Sequence, residues 1–413
     1  MSLQHGLSGL NAAARNLDVI GNNVANANTV GAKTSRAEFA DVYANSLTGW
    51  SSATSGIGVT VSSVAQQFTQ GDIATTQNPL DMAINGSGFF RLSNNGLIEY
   101  TRNGQFRMDK DGYITSSSGS RLTGYRADAA GVIDTGAPAE IRLSSADISP
   151  KATDSARAQL NLDAREKALV DATDGPFNQT DPKTYHGAMS TSVYDSLGRD
   201  HQVTLYFRKT AANTWDVHVS GDGGAATRVA TPLVFNGAGA LTSPTGGLDI
   251  SLAVDSGSGN AGAGNAQLAF NLDLSDATQF GGSFSTTEIS QNGYGSGRLS
   301  GFSVDEKGVM QGRYSNGQTR AQGQIVLASF INPQGLVSRG NNTWADSNAS
   351  GQATLGTAGS GILGALEGGA VENSNVDLTA ELVNMITAQR VYQANAQTIK
   401  TQDQLMQTIV NLR

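Results

Sequence analysis

The chain has no cysteine. Disulfides, thiolate metal sites and cysteine nucleophiles are therefore excluded. Proline is scarce, at 8 of 413 residues, and only 15 % of the chain is charged, against a usual ~25 %. The formal net charge is −8. No basic block and no stripe of Lys and Arg interleaved with aromatics is present, so the sequence carries no mark of nucleic-acid binding. No apolar run approaches the ~20 residues of a membrane span, and membrane insertion is not expected. The opening MSLQHGLSGLNAAARNLDVIGNNV lacks a basic n-region and a continuous apolar core, so no cleaved secretory signal is expected. Aromatics make up 6 % of the chain. A glycan-binding or hydrolytic β protein would need an aromatic platform or a carboxylate pair in a cleft, and neither pattern is visible.

Catalytic and cofactor motifs are equally thin. The run 359–364, GSGILG, matches the spacing of a dinucleotide loop, but no strand leads into it and no helix pattern follows. It reads as a flexible connector. Asp109-Lys110-Asp111-Gly112 has the start of a calcium loop without the later ligands, and reads as a hairpin turn. His5, His186, His201 and His218 have no metal-ligand spacing. His201 and His218 have the placement to face each other across paired strands, but read as surface histidines. The expectation is a non-enzyme with no cofactor and no metal.

Glycine is abundant instead, at 50 residues. From about Gly71 the apolar period is two, punctuated by Asn85-Gly86, Asn95-Gly96, Asn103-Gly104 and Asp111-Gly112. Asn-Gly and Asp-Gly favour the type I′ turns of hairpins. Between them lie FFRL (89–92), LIEYTR (97–102) and QFRMD (105–109). Further strand-like runs are VTLYFR (203–208), TWDVHV (214–219), LDISLAV (248–254), QLAFNLDL (267–274) and QIVLASF (324–330).

The two ends differ from all of this. Residues 376–413 contain no Gly and no Pro. Leu382, Met385, Gln389, Tyr392, Ala396, Ile399, Asp403, Met406 and Val410 recur at alternating steps of three and four, a heptad seam with two polar interruptions. A helix of about 36 residues would run roughly 54 Å. At the other end Leu3, Leu7, Leu10, Ala14, Leu17, Gly21 and Val24 keep the same spacing. The crowd of Asn22, Asn23, Asn26 and Asn28 should end that helix. Each stripe is narrow and needs a partner, and the simplest partner for one is the other. Ser374 and Asp377 have capping-box spacing ahead of the C-terminal helix, with Glu381 in its first turns.

The expected fold is therefore mixed: long coiled-coil α-helices from both termini plus two mainly-β middle domains, nested and discontinuous. Paired helices occupy 1–28 and 370–413, and 29–70 is a spoke or linker. A split inner β domain spans 71–145 and 285–345, an outer β domain at 146–284 is inserted in it, and 346–369 is a Gly/Ala/Ser-rich connector. The Gly-rich stretches 48–63 and 345–364 are candidate hinges.

SGLNAAARNLDVIGNNVANANTVGAKTSRAEF (8–39) resembles the N-terminal signature of the flagellar axial proteins, the family that builds rod, hook and hook-associated segments. ELVNMITAQRVYQANAQTIKTQDQLMQTIVNLR (381–413) resembles their paired C-terminal signature. GDIATTQNPLDMAINGSGFFRL and YTRNGQFRMDKDGYITSSSGSRLTGY, within 71–125, resemble the first β domain of the hook and distal-rod branch. The resemblance is weak over 146–284. Length favours the hook branch, because a distal-rod member would be shorter and lack the insertion.

The resemblance implies a structural subunit that polymerises into a curved, flexible tube, a universal joint carrying motor torque. A rigid distal-rod segment is the alternative. It also implies a polymer core built from Leu3, Leu7, Leu10, Ala14, Leu17, Val24, Leu382, Met385, Tyr392, Ala396, Ile399, Met406 and Val410. The implied partners are further copies of the chain, the distal rod, the hook cap, the hook–filament junction protein, the hook-length ruler and the type III export gate. Export without a cleaved signal would place the chain outside the cell, continuous with the basal body. In such exported proteins a pair like Phe39 and Tyr43 resembles a docking element for the export gate.

Overall fold

A computed structural model of the chain describes residues 2–43, 56–254 and 266–411. The candidate hinge at 48–63 falls partly, at 48–55, outside the described residues. The chain divides into two compact units. The first is Met1–Ser145, Ser300–Arg313 and Thr319–Arg413, and the second is Ala146–Leu299 with Tyr314–Gln318.

In the first unit, the N-terminal helix Ser2–Ala25 is followed by an antiparallel hairpin, Ser35–Tyr43 with Gly56–Gln66. The expected linker at 29–70 is thus largely paired strand. A sheet follows in the order Leu299–Val304, Val309–Tyr314, Thr319–Ser329, Arg121–Arg126, Phe89–Asn94, Leu97–Thr101, Thr343–Ala345, Val337–Gly340. Asn95-Gly96 closes a hairpin between two of these strands, with φ of 51° and 91°. Asp109 accepts from the N–H groups of Asp111 and Tyr113 and shapes the next hairpin turn. Asn103-Gly104 does not close a hairpin. A Cβ on Gly104 would stand 1.5 Å from the Met82 carbonyl oxygen, so that glycine lets two backbones touch. Buried aromatics fill the core: Phe89 meets Phe68 and Phe330 edge-on, at centroid distances of 5.3 and 5.8 Å, and Tyr100 lies 4.8 Å from Phe330.

Residues 346–369 are not a free connector. Thr354–Thr357 pairs with Thr319–Ser329, and Ala365–Gly368 pairs with Met82–Asn85. Small residues hide a strand from sequence reading, because ladder bonds come from the backbone and need no particular side chain. The glycine run 359–364 turns between those strands and leads into no helix. Likewise 370–372 is strand, paired with Ile73–Thr75, and the C-terminal helix spans Leu378–Asn411. Asp377 alone caps it, accepting from the N–H groups of Thr379 and Ala380.

The second unit is built from two sheets. One contains Leu248–Val254, Ala266–Asp273, Ser155–Asp163, Thr278–Phe280 and Ser285–Gln291. The other contains Gly187–Tyr194, Asp200–Ala211, Thr214–Gly221, Leu233–Phe235 and Leu241–Ser243, with Thr227–Arg228 beside it. Leu160, Leu162, Phe207, Trp215, Phe270 and Leu272 share one core. The Trp215 indole N–H donates to Gln279 Oε1 at 3.0 Å, which satisfies the polar end of a fully buried ring. The expected boundary at 284 is too early, because Ser285–Gln291 is laid along Ser155–Asp163. His201 and His218 do not face each other: His201 lies opposite Val193, and His218 opposite Tyr206. Both are buried rather than on the surface.

Candidate assembly site at the paired termini

The two terminal helices run antiparallel within the first unit. The N-terminal helix is approached by Ile399 and Asn395 near its start, and by Glu381 near its end. A Cβ on Gly6 would lie 2.9 Å from Ile399 Cγ1, and one on Gly9 would lie 2.9 Å from Asn395 Oδ1. Small residues thus make the contact. Among the described side chains of the N-terminal helix the buried ones are Gly6, Ala12, Ala13, Ile20 and Asn23, not the leucines.

The two helices thus meet, with Ile399 of the C-terminal stripe against Gly6, but most of the other stripe residues stay outside the buried positions. Leu7 is 51 % exposed, while Leu10, Ala14, Leu17 and Val24 are half-buried. Leu3 is helical, and its side chain lies outside the described residues. On the C-terminal helix Leu382, Tyr392, Met406 and Val410 are exposed, and Met385, Ala396 and Ile399 are half-buried. Ala388 is the one buried residue among its described side chains. The last three turns carry Leu405, Met406 and Val410 at 53, 53 and 69 % exposure.

Between the helices and the hairpin lies a cavity of about 740 Å³, lined by Ala13, Ile20, Ala37, Phe39, Val59 and Val391 among others. Phe39 is 43 % exposed at its wall. Tyr43 ends the strand, and its side chain lies outside the described residues.

Polar side chains lock the base of this assembly. Asn23 Nδ2 donates to the Ser35 carbonyl at 2.8 Å and to Glu381 Oε1 at 3.2 Å, while its Oδ1 accepts from the Ser35 N–H at 2.9 Å. Asn375 Oδ1 accepts from the Thr34 N–H and hydroxyl, and its Nδ2 donates to the carbonyls of Gln67 and Thr69. Lys33 and Arg102 both donate to Glu372, at 2.7 and 3.1 Å. Burial pulls the Lys33 ammonium and the Arg102 guanidinium below their ordinary pKa values, and the Glu372 carboxylate pulls each back up.

Sequence reasoning singled out none of these residues for a role except Asn23, which it took only as a helix stop, and Glu381, which it took only as a first-turn acid for the helix dipole. The available signal was faint. Lys33 and Glu372 are lone charges in the otherwise uncharged runs 27–35 and 368–376.

Among the described residues no group of three or more His, Asp or Glu is placed to hold a metal. No described helix is long and apolar enough to cross a membrane.

The fold defines a two-unit, mainly-β protein whose first unit carries a pair of terminal helices with exposed apolar residues. Comparison with known proteins agrees. Residues 3–33 match the family model for flagella basal body rod proteins. Residues 83–155 match the flagellar hook protein FlgE/F/G D1 domain, 161–294 the flagellar basal body protein FlaE D2 domain, and 367–412 the flagellar basal body rod FlgEFG C-terminal model. The chain is 44 % identical over 420 residues to the flagellar hook protein FlgE of Salmonella typhimurium, covering 100 % of both chains. It is 43 % identical to that of Escherichia coli K12 and 34 % to that of Borreliella burgdorferi, in each case over 100 % of its length and at least 99 % of theirs. The crystal structure of Helicobacter pylori flagellar hook protein FlgE2 shares the fold, with a TM-score of 0.51 at 14 % identity, covering 71 % of this chain and 99 % of that one. The chain belongs to the flagellar hook protein family, a structural and non-enzymatic family of the bacterial flagellum.

Proposed function

We propose that the chain polymerises into the curved, flexible tube of the flagellar hook, a universal joint that carries motor torque to the filament. The observation that carries this reading is the set of exposed apolar residues on the terminal helices. Leu7 on one helix, and Leu382, Met406 and Val410 on the other, stand in solvent in the single chain. Exposed apolar stripes of this kind mark surfaces that other chains cover. In the polymer, neighbouring copies would supply that cover as coiled-coil partners, and Leu3, Leu10, Ala14, Leu17, Val24, Met385, Tyr392, Ala396 and Ile399 would complete the inner core.

The split β unit would form the next layer and the inserted unit the outermost. At the two ends of the tube, the distal rod, the hook cap and the junction protein would meet the same helical surfaces. A length ruler would act during growth. Export would use the type III gate without a cleaved signal, with Phe39 and Tyr43 as the docking pair. The exposure of Phe39 is what supports that role.

Deletion of the gene tests the reading. Cells should keep basal bodies whose rods end without hooks, and should not swim. Normal hooks in such cells would overturn it.

A further inference from the structure

Lys33, Arg102 and Glu372 come from three distant parts of the chain. Lys33 follows the N-terminal helix, Arg102 follows the strand Leu97–Thr101, and Glu372 ends the strand Ala370–Glu372. Their side chains are 0, 3 and 0 % exposed. Glu372 Oε1 accepts from Lys33 Nζ at 2.7 Å and from the Gly71 N–H at 2.9 Å, and Oε2 accepts from Arg102 Nη1 at 3.1 Å. Lys33 Nζ also donates to the Thr69 carbonyl at 2.7 Å, and Arg102 Nη2 to the Gly86 carbonyl at 2.8 Å.

Two cations share one carboxylate, so the buried cluster holds a surplus of positive charge. A stability argument does not account for that. Burying ions costs solvation that pairing only partly returns, and apolar replacements of buried ion clusters are often neutral or stabilising. What the cluster supplies is direction. Both arms of the chain, one entering the β strands past Lys33 and one leaving them past Glu372, are bonded to a single carboxylate and through it to Arg102 at the end of a sheet strand.

We infer that Glu372, with Lys33 and Arg102, is a mechanical latch that fastens both helical arms to the first β unit, so that load passing along the helices enters the sheet at this point. The consequence for torque rests on the hook reading; the latch itself does not. Lys33→Met removes the surplus cation and one strap while leaving the Arg102–Glu372 pair.

The test has two arms on the full chain. In the monomer, Lys33→Met should melt close to the parent, while amide exchange in 30–34, 69–76 and 370–376 speeds together by about tenfold, the weight of roughly 1.4 kcal/mol. In cells it should still assemble hooks, and tethered-bead measurements should find them torsionally softer than those of the parent. Glu372→Gln, which leaves two buried cations without an anion, should instead melt well below the parent. Global unfolding of Lys33→Met would make Lys33 a stability element and overturn the latch. So would exchange that speeds in one segment alone. Variant hooks with parental stiffness would overturn its mechanical role. A parent chain that builds no hook would defeat the hook reading alone, leaving the exchange arm to judge the latch.

Discussion

Asn23 on the N-terminal helix reaches Glu381 on the C-terminal helix, its Nδ2 3.2 Å from Glu381 Oε1, while the same side chain brackets both backbone groups of Ser35. One buried amide thus ties two helices and a hairpin. Asn23→Ala would leave the buried ends of these bonds unpaired, at about 1–3 kcal/mol for each unsatisfied group. The expected result is a lower melting temperature and loss of amide protection in 35–43 and 56–66, with the second unit untouched. Equal protection in parent and variant would contradict it.

Met406 and Val410 are exposed in the single chain, so replacing both with Asp should leave monomer stability within about 0.5 kcal/mol. If neighbouring copies cover this end, the same change buries unpaired charge and should abolish polymerisation. Circular dichroism of the monomer and electron microscopy of cell envelopes separate the two effects. Normal hooks from the double variant would remove these residues from the core.

The second unit should weaken in acid in two stages. Burial holds the His186 and His218 imidazoles below their ordinary pKa, and His218 is stacked on Phe177 at 3.8 Å. A histidine whose folded pKa is depressed contributes stability that is complete above its unfolded value near 6.5 and fades as pH falls below it. Asp195 is held at about 2, against the cost of its burial, by bonds from Arg199, His201 and Leu197. Its contribution is complete above about 3.9 and is lost as pH falls toward 2. Thermal melts from pH 8 to pH 3 should show a first decline below about pH 6.5, reduced by His218→Phe, and a second below about pH 4, reduced by Asp195→Asn. A flat profile between pH 7 and pH 5 would contradict the histidine stage.

Much of this plan is legible in the sequence. The Asn cluster stops the first helix within a residue or two of the expected place, because Asn26 bonds back to the Asn22 carbonyl there. Asn95-Gly96 marks its hairpin because both residues take positive φ. The working face of the helices is not legible. A leucine stripe advertises burial, yet Gly6 and Gly9 make the close contact, since only small side chains let the helices come so close. The Lys33–Glu372–Arg102 cluster is faint for a different reason: its members come from three distant parts of the chain, and no spacing along the chain encodes their meeting.

Ile148 and Gly297 face each other as an antiparallel bridge, with reciprocal backbone bonds of 2.9 and 3.2 Å. The second unit thus begins and ends at neighbouring points, and a short Gly-Ser bridge should replace 149–296 without strain, because bridged Cα atoms stand only about 5 Å apart. If the unit occupies the outermost layer, where contacts have the greatest lever arm on shape, the deleted chain should still form a tube, but a straight one. Failure to form any tube would place the unit in the inner core, and a normal curve would place shape control there.

Electron microscopy of the polymer from cells making this chain as their only hook-family protein bears most directly on the hook assignment. Curved tubes with a central channel, continuous with the rod at one end, are predicted. Straight tubes would point to a distal-rod role, and cells that export the chain without forming any tube would contradict assembly through the terminal helices.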